Sequence, residues 1–170
     1  MALTPEVSVD AFLETPRVRC FLTHQPLDVQ NIIASVQDIS AGAIATFIGT
    51  TRNSFKGKTV THLEYQAYSK IAIKTMFDIA HGAMESVSCA DDPQIHTVTH
   101  PGIRCSIHHR LGTVPIGEPS IVIAVSSPHR KEAFSVCEEI LEEVKKKAQI
   151  WKREYYEGEG ESEAEWKVNT

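Results

Sequence analysis

The sequence predicts an α+β fold with a mainly antiparallel or mixed sheet, and three observations carry that expectation. Strand-like and helical patterns interleave without a regular βαβ repeat, a short polar stretch between two strand-like runs implies a hairpin, and a strongly amphipathic helix lies toward the C-terminal end. With 170 residues, 42% of them apolar and 23% charged, the chain can fill one core and is short for two ordinary domains. We expect one globular domain over residues 17–170 behind an N-terminal tail over residues 1–16, laid on the surface or flexible, where Pro5 and Pro16 interrupt any sustained period.

Val18, Cys20 and Leu22 alternate with Arg19, Phe21 and Thr23, which suits a first strand. Asp28 then stands as N-cap before the helical spacing of Val29, Ile32, Ile33 and Val36. The run GAIATFIG over 42–49 is apolar and β-branched, and TVTHLEYQAY over 59–68 alternates, with Val60, His62, Glu64 and Gln66 opposing Thr61, Leu63, Tyr65 and Ala67. Between them, TTRNSFKGK forms the polar hairpin-like loop. Ser69 is placed to cap a long helix through Ile73, Met76, Phe77, Ala80 and Met84, with Gly82 a weak point inside it. An irregular connection over 89–101 follows. Residues 103–111 and 120–126 read as strands around a turn holding Pro115, Gly117 and Pro119. The amphipathic helix over 129–149 carries Ala133, Cys137, Ile140, Leu141, Val144 and Ala148 on one stripe. A last strand over 151–156 precedes an acidic mobile turn, EGEGESEAE, before Trp166 returns an apolar anchor.

A net charge of −5 argues against a non-specific binder of nucleic acid or anionic membrane, because such binders need positive charge to displace counterions. Any anion site must therefore be a local cluster. Neither a membrane-length apolar run nor a secretion-like N-terminus is visible, so a soluble cytosolic protein with reduced cysteines is expected. Cys20, Cys89, Cys105 and Cys137 show no C-x-x-C spacing, and the adjacent pair His108 and His109 cannot share one strand face, so no metal site is expected.

Three clusters could carry chemistry. Thr50, Thr51, Arg52, Asn53, Lys56 and Lys58 concentrate donors at a strand end where an anion could be met. Gly57-Lys58-Thr59 mimics the end of a P-loop, but Arg52 replaces the required glycine and a strand follows instead of a helix, which excludes that reading. Ser127-Pro128-His129-Arg130 follows a buried strand and opens a helix, so free N–H groups and the positive end of the dipole meet two basic side chains there. At the far end of that helix Lys146 and Lys147 suit solvent, whereas Lys145 sits at the edge of the apolar face, where its amine could enter a cleft. Lys152 follows Trp151 on the exit strand, with Glu154 on the same face, an arrangement suited to acid/base work. For each cluster the plain alternative is a solvated surface. His108 and His109 are adjacent, so in a strand they face opposite ways.

Taken together, GAIATFIGTTRN (42–53), LEYQAY (63–68), HRLG (109–112), VSSPHR (125–130) and the K-x-x-x-x-x-W-K-R-E pattern (145–154) resemble the large subunit of molybdopterin synthase, over residues 17–168. The resemblance implies an α/β hammerhead fold and a central dimer of large subunits, with a small ubiquitin-like subunit at each end of a heterotetramer. It implies sulfur transfer, in two rounds, from that partner's C-terminal Gly-Gly thiocarboxylate to cyclic pyranopterin monophosphate, giving the dithiolene of molybdopterin. By the same similarity Lys145 and Lys152 line the reacting centre and act as the catalytic pair. Arg52, His129 and Arg130 hold pterin and phosphate, with the dimer interface a place where they could meet, and Arg153 and Glu154 adjoin them. No cofactor or metal is implied, because sulfur arrives on the partner. A docking adaptor would not need convergent Lys145, Lys152 and Arg52, and a phosphate-ester hydrolase would show a metal cluster or nucleophile constellation.

Overall fold

The computed structural model describes residues 7–88 and 102–169, so the connection expected over 89–101 lies outside the described residues. Two sheets share a core. The first is mixed, in the order β1 (Ala11–Glu14), β2 (Val18–Thr23), β6 (Arg104–Arg110), β8 (Pro119–Ser127), β3 (Ala43–Thr50), with β2 and β6 parallel and the other neighbours antiparallel. The second is antiparallel, in the order β10 (Lys167–Val168), β9 (Ile150–Tyr156), β5 (Lys58–Ala67), β4 (Ser54–Phe55), and β7 (Gly112–Pro115) also pairs with β5.

Strand β8 is covered on both faces, and its composition follows from that. Ile121, Ile123 and Val125 point toward α2 (Ser69–Ser88) and α3 (Arg130–Lys147), while Val122 and Ala124 meet Leu27, Ile32 and Val36 around α1 (Val29–Ala34). A strand buried on both faces reads as a continuous apolar run, which is the SIVIAVS signature. Helix α1 starts where expected, with Asp28 accepting the Asn31 N–H at 3.1 Å. Helix α3 buries Ala133, Val136, Cys137, Ile140 and Val144, and its last turn carries Lys145, Lys146 and Lys147 against the dipole's negative end.

Three local features differ from expectation. From Val7 onward the N-terminal segment lies on the surface and includes an unexpected strand: β1 pairs with β2, and Val9 N–H donates to Ser69 Oγ at 3.0 Å. Ser69 therefore ties that segment down with the hydroxyl expected to cap its own helix. In β5 the strict alternation breaks, because a bulge between Val60 and His62 inserts one residue and moves the buried face from Val60 to Tyr65 and Ala67. The stretch between β6 and β8, expected as a turn alone, holds β7. The chain crosses between sheets at Gly112, whose φ of +73° and close approach to His24 both favour glycine. The polar hairpin is tight, with Lys56 and Gly57 at φ 47° and 80° joining β4 to β5, the backbone a two-residue turn requires.

Candidate active site

A cavity of about 430 Å³ opens between the two sheets, and several elements deliver side chains to it. Arg52 comes from the loop after β3, Lys145 from the edge of the α3 stripe, and Lys152 and Glu154 from one face of β9. Three cations against one carboxylate leave a local balance of +2 (3 − 1) in a chain of net charge −5. Lys145 is half-buried while Lys146 and Lys147 are exposed, Lys147 pairing with Glu143 one turn earlier. The helix thus turns its stripe-edge lysine inward and leaves its neighbours in water, by geometry alone.

Lys152 Nζ lies 3.6 Å from Glu154 Oε1, with side-chain exposures of 20% and 9%. Glu154 Oε2 accepts the Tyr156 hydroxyl at 2.5 Å and lies 3.5 Å from Lys167 Nζ. Burial opposes ionisation of Glu154, but the Tyr156 hydrogen bond and the charges of Lys152 and Lys167 outweigh it and hold the carboxyl below its ordinary range. Burial, and then the hydrogen bond to Glu154, push the Tyr156 phenol up to about 12, so it stays a donor. The carboxylate is a fixed anion beside a cationic amine in a semi-enclosed site.

The cavity wall also holds residues outside the expected site. His109 is buried, and loss of water drops its pKa to about 4, which keeps the ring neutral. Its Nδ1 lies 2.8 Å from the Arg110 carbonyl, so Nδ1 carries the proton. Nε2 is then an acceptor, and the Asn169 amide donates to it at 3.1 Å. A usable signal existed: Cys105, Ile107, His109 and Leu111 share one face at the two-residue period and all are buried. His108 faces the other way and stacks on Phe21 at 4.6 Å. Tyr65 and Ser120, also on the wall, had no comparable signal.

The other expected contacts lie elsewhere in the chain. The Arg153 guanidinium is on the opposite face of β9 from Lys152, donating to Glu64 at 2.9 Å and stacked over Trp166 at 4.3 Å. His129 and Arg130 line a separate recess with Gly42 and Pro128, beside the start of β3, whereas Arg52 follows its end. Seven residue steps of β3 put roughly 23 Å between the two places. Among the described residues no group of three His, Cys, Asp or Glu is placed to hold a metal ion. Cys20, Cys105 and Cys137 are buried free thiols, and burial raises all three above the ordinary thiol range. Cys89 lies outside the described residues.

Fold and cavity together define an α+β protein that gathers cations between two sheets. Residues 22–147 match the family model described as MoaE protein. The chain is 48% identical over 149 residues to the molybdopterin synthase catalytic subunit of Pyricularia oryzae, covering 87% of this chain and 72% of that protein. It is 46% identical over 148 residues to molybdopterin synthase catalytic subunit 2 of Aedes aegypti, covering 87% of each. Its fold is that of molybdopterin synthase from Staphylococcus aureus, with a TM-score of 0.72 and 30% identity over 86% of this chain and 94% of that one. The fold also matches a chain in a protein–protein complex of subunits 1 and 2 of molybdopterin-converting factor from Helicobacter pylori, with a TM-score of 0.61 and 22% identity over 81% of this chain and 85% of that one. The chain belongs to the MoaE family, the catalytic subunits of molybdopterin synthase, sulfurtransferases of molybdenum cofactor biosynthesis. Among the described residues no helix is long and apolar enough to cross a membrane.

Proposed function

We propose that this chain transfers two sulfurs, one per round, from the C-terminal thiocarboxylate of a small ubiquitin-like subunit to cyclic pyranopterin monophosphate, in the cytosol. The carrying observation is the convergence of Arg52, Lys145 and Lys152 on one cavity in an acidic protein. Donor and acceptor are both anionic and would repel in water, so a fixed local cluster of cations is what this reaction requires. The thiocarboxylate sulfur bonds to a pterin side-chain carbon as that carbon's C–O bond breaks and the departing oxygen takes up a proton. Water then adds to the acyl carbon, and the acyl–sulfur bond breaks to leave the sulfur on the pterin as a thiolate and the partner as a carboxylate. Lys152 stabilises the oxyanion formed at the acyl carbon, Glu154 orients Lys152, and Lys145 serves the pterin side. The solved complex of subunits 1 and 2 of molybdopterin-converting factor, one chain of which has this fold, supports a small partner subunit.

His129 and Arg130 enter through a second copy. Strand β3 is the edge of its sheet and exposes Ile44 and Ile48, and a two-fold axis beside it brings the start of one β3 to the end of the other. His129 and Arg130 of one protomer then complete the phosphate site of its partner, within a heterotetramer built on a homodimer core. Incubating the chain with thiocarboxylated small subunit and cyclic pterin tests the reaction, and absence of dithiolene product refutes it. Mixing Lys152→Ala with Arg130→Ala tests the shared site. Random exchange puts both lesions in one site of each mixed dimer and leaves the other intact, so roughly a quarter of wild-type activity should return. No recovery despite dimer exchange refutes the shared site.

A further inference from the structure

Four consecutive residues near the C-terminal end, 166–169, each grip a different part of the catalytic strand's surroundings. Trp166 offers its ring to Arg153 at 4.3 Å on the outer face of β9. Lys167 pairs in register with Lys152 and places its Nζ 3.5 Å from Glu154 Oε2. Val168 pairs in register with Trp151. The Asn169 N–H donates to the Ile150 carbonyl at 3.3 Å, while its side-chain amide reaches His109 Nε2 at 3.1 Å across the cavity wall. The two-residue period accounts for the split, with Lys167 and Asn169 on the cavity side and Trp166 on the other.

We propose that residues 166–169 form a positioning strap that holds β9 from both faces and so fixes Lys152 and Glu154 in reacting geometry. This rests on the proposed reaction and goes beyond it, because no residue of the strap is assigned to the chemistry. Without the strap β9 would be a sheet edge, its outer backbone groups in water and its Lys152–Glu154 segment held by β5 alone. The outer anchor works through Arg153, which also donates to Glu64, so the aromatic ring, guanidinium and carboxylate lock β9 to β5 on the side away from the cavity. The inner anchor works through His109. A neutral ring with its Nδ1 proton committed to a carbonyl has one acceptor left, and Asn169 occupies it.

The strap is short and none of its four residues is fully buried, with Val168 half in water, so it contributes little to the buried core. Its loss should therefore change geometry more than stability. A merely structural role would lower the fraction of active protein, whereas a positioning role lowers the rate constant of every active molecule.

The test is a single-turnover assay on the full chain with preformed thiocarboxylated small subunit and saturating cyclic pyranopterin monophosphate, reading rate constant and amplitude separately. Trp166→Ala and Asn169→Ala should each slow the rate between about tenfold and a hundredfold, the scale for misplacing a reacting group by about an ångström. Amplitude and small-subunit affinity should hold. Trp166→Phe, which restores a ring for Arg153, should recover most of the rate. Unchanged rate constants in both alanine variants, beside an impaired Lys152→Ala control, overturn the strap alone. A loss confined to amplitude, matched by a lowered melting temperature, also overturns it. A normal rate in Lys152→Ala removes the proposed role of Lys152 and the strap together.

Discussion

Replacing Lys152 by Ala isolates the charge that the proposed chemistry leans on most. The side chain is one-fifth exposed, and its Nζ lies 3.6 Å from Glu154 Oε1. At a similar distance from a developing oxyanion, a unit charge in an environment of intermediate polarity interacts by about 4 kcal/mol. Partial charge development and residual water reduce that to roughly 3–4 kcal/mol, or on the order of a hundredfold to a thousandfold in rate. The fold should survive, because Glu154 keeps the Tyr156 hydroxyl and Lys167, and a partly exposed pair contributes at most about 1 kcal/mol. Lys152→Arg separates charge from proton transfer, since a guanidinium retains charge but is a very poor proton donor near neutrality. If Arg restores most of the rate, charge suffices; if Arg matches Ala, proton transfer or tight geometry is required. The assay is single turnover with preformed thiocarboxylated small subunit. A near-normal rate for Lys152→Ala would refute the reasoning and transfer the catalytic role to Lys145.

Arg52→Ala should weaken binding of the cyclic pterin by roughly 1.5–3 kcal/mol in calorimetric titration, as expected for one charged hydrogen bond. The melting temperature should not move, because Arg52 is exposed and its contact is with the Phe55 ring at 5.9 Å. Gly82→Ala should raise stability by about 1 kcal/mol and the melting temperature by about 2–4 °C, since Gly82 lies inside α2 with open space where a Cβ would go. A lower melting temperature would contradict it. Burial holds His109 neutral down to about pH 4, against an ordinary value of 6.5, so the folded state binds fewer protons than the unfolded one between those values. Its contribution is therefore intact above about pH 6.5 and lost as pH falls toward 4, and His109→Gln should flatten the pH dependence of the melting temperature across that window.

Much of the fold was legible because period and burial agree. The β2 residues Val18, Cys20 and Leu22 are buried while their alternates are not, and the α3 stripe faces the core. What resisted reading depends on pairing between distant segments. The apolar parity of β5 changes at a bulge set by its register with β9, and nothing within the ten residues of that strand encodes the inserted residue. Strand β1 ends in Leu13 and Glu14 with little burial of its own. It is a strand because β2 offers it an edge and Ser69 anchors the chain before it, both tertiary facts.

The candidate site divides in the same way. Lys145, Lys152 and Glu154 could be placed because each lies on a regular element whose period fixes its face, and the same period turns Arg153 away from Lys152. The resemblance supplied Arg153 without a direction, and only the strand geometry separates a residue facing the cavity from one bracing the strand behind it. His109 lay on a face that alternation identifies as buried, yet a buried histidine is ordinarily a packed one. Its place at the cavity wall depends on Asn169, sixty residues further along the chain, meeting its one free nitrogen. Cationic residues reveal themselves in an acidic sequence because local excess is conspicuous against a net charge of −5. Neutral residues that hold those cations in position carry no such contrast, so the parts of a site that position are harder to read from sequence than the parts that attract.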